Sequence, residues 1–215
     1  MAVEQDYFKK GKLEETAKAL EQQIEKEPGN PVPYINYGNL LSAVHEHEKA
    51  LVFFEKALEL DSEAGAALYS TGIAFYQLER FQEAREFFLK AMEKGVNEGD
   101  VHFMLGMCFV QKGEQIRALP HFLRASEMNE NDTESLFQYG LCLAQLEQVK
   151  QAKNVFLTVT EKDPGHADAF YNLGVACVYF DELDAANHAF SKALSIQPDH
   201  YLAANGKKNV ENKMQ

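Results

Sequence analysis

The side chains able to do chemistry in this 215-residue chain are spread in a way that leaves chemistry little foothold. Seven histidines are present, yet none combines with a carboxylate or a cysteine in a spacing that catalysis uses: there is no HExxH, no P-loop and no GxSxG. His45-Glu46-His47 brings two imidazoles near one another, but so close a pair in an exposed turn is ordinarily solvated rather than metal-bound. His166 and His200 recur at equivalent places without further partners. The cysteines Cys108, Cys142 and Cys177 are odd in number and contain no CxxC. The first two stand 34 residues apart, as equivalent positions on successive helices would, so all three read as buried free thiols. The expectation is a protein that is not an enzyme and has no metal and no cofactor.

The spacing that is strong belongs to residues with no chemistry. Glycines stand at 38, 72, 106, 140 and 174, alanines at 50, 84, 118, 152 and 186, and phenylalanines at 54, 88, 122, 156 and 190, all at a step of 34. A period of that length marks stacked helical hairpins. Within the unit that starts at Pro31, Tyr34, Tyr37, Gly38 and Leu41 share one face of a first helix over about residues 32–44. Ala50, Phe54, Ala57 and Leu58 share one face of a second over about residues 48–60. A glycine opposite an alanine lets two backbones approach, and the phenylalanine fills the remaining volume. Glycine inside a helix costs about 0.5 to 1 kcal/mol relative to alanine, so five in register imply a packing gain at each.

Composition narrows the partners. Hydrophobic residues make up 46% and charged residues 25%, enough for one elongated domain with a core. With 21 Lys plus Arg against 33 Asp plus Glu, the net charge of -12 repels phosphate, so neither nucleic acid nor an anionic membrane is expected as partner. Residues 1–10 lack a basic start followed by an apolar run, and the longest apolar stretch, 101–110, is about half a membrane span. A cytoplasmic protein is expected.

Tyr37-Gly38, Leu105-Gly106, Tyr139-Gly140 and Leu173-Gly174, followed by the alanine and phenylalanine rows, resemble the tetratricopeptide repeat (TPR). The resemblance covers five full units, 31–64, 65–98, 99–132, 133–166 and 167–200. It implies an all-α fold, a right-handed α-α superhelix (solenoid) of tandem tetratricopeptide helical hairpins. Residues 1–30 keep the register as a degenerate N-terminal repeat, with Gly11 at the turn and Thr16 and Leu20 in the alanine and phenylalanine slots. Residues 201–215, with Lys207, Lys208 and Lys213, form a polar capping helix. The proline that closes such repeats stands at Pro164 and Pro198, whereas Ser62, Val96 and Glu130 replace it elsewhere. Pro120, inside a second helix, predicts a kink or a late helix start.

The first helices of such a stack line a concave groove. Carried onto this chain, one groove row is Ile35, Tyr69, Phe103, Phe137 and Tyr171. The next is Asn39, Ile73, Met107, Leu141 and Val175, and a third is Ser42, Tyr76, Val110, Ala144 and Val178. The family usually places asparagine in the second row, so its apolar residues, with Met104 beside Met107, point to an apolar strip that docks a partner. Asn36, Ser70, Gln138 and Asn172 share a slot suited to a peptide backbone. Asp100, Glu134 and Asp168 form an acidic edge that favours Lys or Arg in the ligand. The Lys, Asn and Arg clamp that grips an acidic chaperone terminus is missing. The function expected is a non-enzymatic protein-protein interaction scaffold or adaptor for a protein or peptide partner, apolar with some basic residues. The alternatives are a homo-oligomer whose groove holds a second copy and a regulatory subunit of an enzyme.

Overall fold

A computed structural model describes the backbone of residues 2–215 and the side chains from Lys12 onward. Among the described residues there are twelve α-helices and no strand: α1 (Ala2–Lys26), α2 (Pro31–Ala43), α3 (His47–Leu60), α4 (Gly65–Gln77), α5 (Phe81–Glu93), α6 (Glu98–Gln111), α7 (Gln115–Met128), α8 (Thr133–Gln145), α9 (Val149–Lys162), α10 (Ala167–Tyr179), α11 (Leu183–Ile196) and α12 (Tyr201–Met214). They form two compact units that divide within α6, one ending at Met104 and the other beginning at Leu105.

In the first unit α1 packs on α2, α2 on α3, α3 on α4 and α4 on α5, with α2 also touching α4. In the second unit the same order runs from α7 to α12, and α10 also meets α12. α3, α9 and α11 therefore each bury an apolar stripe against their own first helix and against the next one. Phe54, Phe88, Phe122, Phe156 and Phe190 are the largest fully enclosed side chains, and the alanine row from Ala50 to Ala186 has no exposed surface. Burying each ring stabilises by roughly 1.5 to 3 kcal/mol. The glycines make that possible. A Cβ placed on Gly72, Gly106, Gly140 or Gly174 would stand 2.6 to 2.8 Å from the Cε1 of the phenylalanine in the same hairpin, closer than two carbons can come.

The turn inside each hairpin is set by one residue in the left-handed region: His45, Glu79, Gly113, Glu147 and Asp181, with φ between 59° and 72°. Only one of the five is glycine. The other four accept a conformation that disfavours a side chain because helix packing on both sides fixes the chain's direction. Gly11 lies in the same register, but α1 continues through it as a single helix, so the turn expected there is not made.

The loops between hairpins do not depend on proline. The side-chain oxygens of Asp61, Asn129 and Asp163 accept hydrogen bonds from the amides of Glu63, Asn131 and Gly165 at 2.9 to 3.1 Å, whether or not proline follows. Val96 marks a different ending: Gly95 takes φ 76°, the Val96 amide donates to Ala91 O, and the Val96 side chain covers Gly65. Pro120 does not delay its helix, because α7 starts at Gln115, in register with Phe81, Val149 and Leu183, and runs unbroken to Met128. The lost bond falls on the carbonyl of Ile116 in the first turn, and both residues are exposed.

The three cysteines are free and buried, as their spacing implied. Burial pushes the Cys142 thiol up to about 11, and burial likewise raises Cys177. At pH 8 about one Cys142 in a thousand is then thiolate, so iodoacetamide alkylation of the folded chain, followed by mass spectrometry, is expected to run about 100-fold slower at this site than after unfolding. Gly72→Ala is expected to lower stability by about 1 to 3 kcal/mol in urea titrations. Gly29→Ala, where nothing lies within 4 Å of the added atom, is the near-neutral control.

Candidate functional site

The surface to which the sequence points is the face of the first helices. Their N-termini are capped in a way that shapes it. Asn30 Oδ1 accepts from the Val32 amide and Asp132 Oδ1 from the Ser135 amide, both at 3.0 Å. His166 Nδ1 accepts from the Ala169 amide at 3.2 Å and His200 Nδ1 from the Ala203 amide at 3.1 Å. With Nδ1 accepting, the neutral His200 ring carries its proton on Nε2, which donates to Asp168 Oδ1 at 3.1 Å. His166 Nε2 lies 3.9 Å from Glu134 Oε2.

Each of these rings also lies on the first-row aromatic of the preceding hairpin. Ring centroids are 4.4 Å apart for His166 and Phe137, and 5.0 Å for His200 and Tyr171. A histidine at the cap thus satisfies an orphan amide and covers an aromatic, and His200 also holds a carboxylate. The sequence reading had found the recurrence of His166 and His200 and assigned it no role. Their position directly before a helix, where Asn30 and Asp132 stand in other repeats, was the available signal.

This covering corrects the first groove row. Ile35 and Phe137 are 8% and 7% exposed and belong to the core, Ile35 with Ala57 and Ala67, and Phe137 with Phe156 and Ala169. The loop and cap of the following hairpin close over them. Tyr69 and Tyr171 remain half-buried, with rings 5.6 Å from Phe88 and 6.0 Å from Phe190. Burial, with Asp100 nearby, raises the Tyr69 hydroxyl above its ordinary value and keeps it neutral. Phe103 and Met104 are partly exposed.

The second row is more open. In the first unit Asn39 is exposed and Ile73 partly so, next to Tyr76, whose ring lies 5.4 Å from Phe81. In the second unit Met107 and Leu141 are partly exposed and Val175 is 45% exposed. The amide slot divides. Asn36 is exposed, whereas Gln138 Nε2 donates to Glu134 Oε1 at 2.9 Å and Asn172 Nδ2 to Asp168 O at 2.8 Å. These two therefore turn carbonyl oxygens outward as acceptors. Asp100, Glu134 and Asp168 all remain exposed.

The groups that could have carried chemistry stay apart. His45 and His47 have ring centroids 5.9 Å apart in an edge-on arrangement. Among the described residues no cluster of three or more His, Cys, Asp or Glu is placed to hold a metal ion, and no helix is long and apolar enough to cross a membrane.

Comparison with known proteins agrees with this geometry. Two family models, both described as tetratricopeptide repeat, match residues 32–94 and 140–201. A solved structure of YrrB, described as a TPR protein with an unusual peptide-binding site, is 47% identical, with 89% of this chain and 99% of that one covered and a TM-score of 0.74. The chain belongs to the tetratricopeptide repeat family. Two more distant structures share the fold: pilF from Pseudomonas aeruginosa (17% identity, 99% and 95% covered, TM-score 0.78) and MamA from Desulfovibrio magneticus (20% identity, 80% and 97% covered, TM-score 0.72). The sequence has no significant match among curated proteins. As a tetratricopeptide repeat protein the chain is a protein-interaction scaffold.

The cap assignment has a direct check. His200→Ala is expected to lower stability by about 1 kcal/mol in urea titrations, and His200→Asn, which keeps an acceptor at the cap, to recover most of it.

Proposed function

We propose that the chain binds an extended peptide or a helix along its first-helix face, and that this ligand is apolar with interspersed Lys or Arg. The observation that carries the reading is the second row, where asparagine is the usual family residue. Ile73 in the first unit, and Met107, Leu141 and Val175 in the second, give each unit an apolar surface open to solvent. Exposed apolar surface rimmed by polar groups marks interaction sites.

The flanking groups supply direction and charge. Gln138 and Asn172 offer outward carbonyls to backbone amides of an extended ligand. Asp100 in the first unit and Glu134 and Asp168 in the second are exposed carboxylates, and the rows named above contain no Lys or Arg, so a basic ligand meets attraction without repulsion. The description of YrrB as bearing a peptide-binding site supports the same kind of ligand.

Peptides selected on the immobilised protein by phage display test this. A selected peptide, fluorescently labelled, is expected to carry Lys or Arg and to bind the Glu134→Lys/Asp168→Lys protein about tenfold more weakly at low salt. The gap should narrow sharply at 0.5 M salt, where exposed charges are screened beyond about 4 Å. Selection of acidic peptides, or equal binding by the two proteins at low salt, counts against the reading.

A further inference from the structure

At the end of the second unit, the first-helix face holds a small cavity that the repeat pattern does not predict. Val175 and Val178 of α10, Phe190 of α11 and Val210 of α12 surround it, and its volume is about 150 Å³. Gly206 occupies the slot that carries Asn36, Ser70, Met104, Gln138 and Asn172 in the earlier first helices. The Phe190 ring takes the place of a side chain there, since a Cβ on Gly206 would stand 2.7 Å from Cζ, so this glycine lets α12 approach the ring beside the cavity. The same ring also packs on Gly174, where a Cβ would stand 2.6 Å from Cε1.

Two polar residues of α12 also line the cavity, Asn209 and Lys213. Lys213 supplies a positive charge to a face whose rows otherwise hold none. Lys207 on the same helix is matched to Glu211, whereas Lys213 makes no ion pair among the described residues. A free ammonium bordering an apolar cavity selects an apolar group with an anion beside it. A volume of about 150 Å³ lined by aliphatic and aromatic groups holds a benzene-sized group, which is one large apolar side chain and no more.

We propose that this cavity seats a single Leu, Ile, Met or Phe side chain of the bound peptide, and that Lys213 pairs with an Asp or Glu side chain adjacent to that anchor. The inference rests on the peptide-binding reading above and adds the anchor, its acidic neighbour and the residues that select them. With Glu134 and Asp168 attracting basic residues, the cavity also fixes the peptide's polarity: its basic part lies over α8 and α10 and its apolar-acidic pair at α12.

The test uses phage display on the full chain, with peptides fused through their C-termini so that none offers a terminal carboxylate. Three proteins are compared: wild type, Val175→Asp and Lys213→Glu, with helicity and melting temperature checked for each. Wild type is expected to enrich a large apolar residue next to Asp or Glu. Val175→Asp should lose that anchor and bind the synthetic consensus peptide at least tenfold more weakly in fluorescence anisotropy. Lys213→Glu should keep the anchor and exchange its acidic neighbour for Lys or Arg. Enrichment without the apolar-acidic pair, or unchanged selection by folded Val175→Asp, overturns the cavity assignment and leaves peptide binding standing. Binding seen only with synthetic peptides that carry a free terminal carboxylate overturns the side-chain assignment. Failure of wild type to enrich any peptide overturns both.

Discussion

The close approach of a glycine-bearing first helix to the phenylalanine of its partner helix governs the rest of this structure. Where a methyl group would stand 2.6 to 2.8 Å from the ring, the two backbones lie too near for any side chain on the glycine. The ring must then remain in one position, enclosed on every side. Five such contacts in register hold each hairpin at one spacing, and from that spacing the left-handed turn residues and the buried alanines follow. Strain at His45, Glu79, Glu147 and Asp181 is tolerated because the hairpins on which they sit are fixed elsewhere.

Between hairpins the forces differ. The loops are held by short side-chain hydrogen bonds from Asp61, Asn129 and Asp163, and the following helix is started by a cap. At His166 and His200 the cap reaches back across the loop to the previous hairpin, lying tilted against an aromatic and facing a carboxylate. The acidic edge and the half-buried first row are thus parts of one arrangement. Its carboxylates are held in place by the scaffold yet still face solvent, where a basic ligand can find them.

The same glycine logic extends to α12. Gly174 and Gly206 are both small because the Phe190 ring lies against them, and that ring belongs to the core and also lines the cavity.

Much of the fold could be read from residue spacing, because a packing requirement that recurs leaves a periodic trace. The hairpins followed from a step of 34, the buried thiols from their number and spacing, and the capping helix from its polar composition. What escaped the sequence were features that depend on a neighbour's position. Ile35 and Phe137 carry the groove pattern and are nevertheless buried, because the next hairpin's loop closes over them. Gly11 sits in a turn register and is nevertheless helical, inside the single helix α1. Lys213 reads as part of a polar tail and is nevertheless at the mouth of an apolar cavity, since α12 sets it beside Val175 and Val178. Periodicity by itself determined which residues hold the hairpins together, since every repeat meets the same steric demand. Only the tertiary structure decided which of the remaining residues face solvent, since that depends on what the adjoining helix and loop cover.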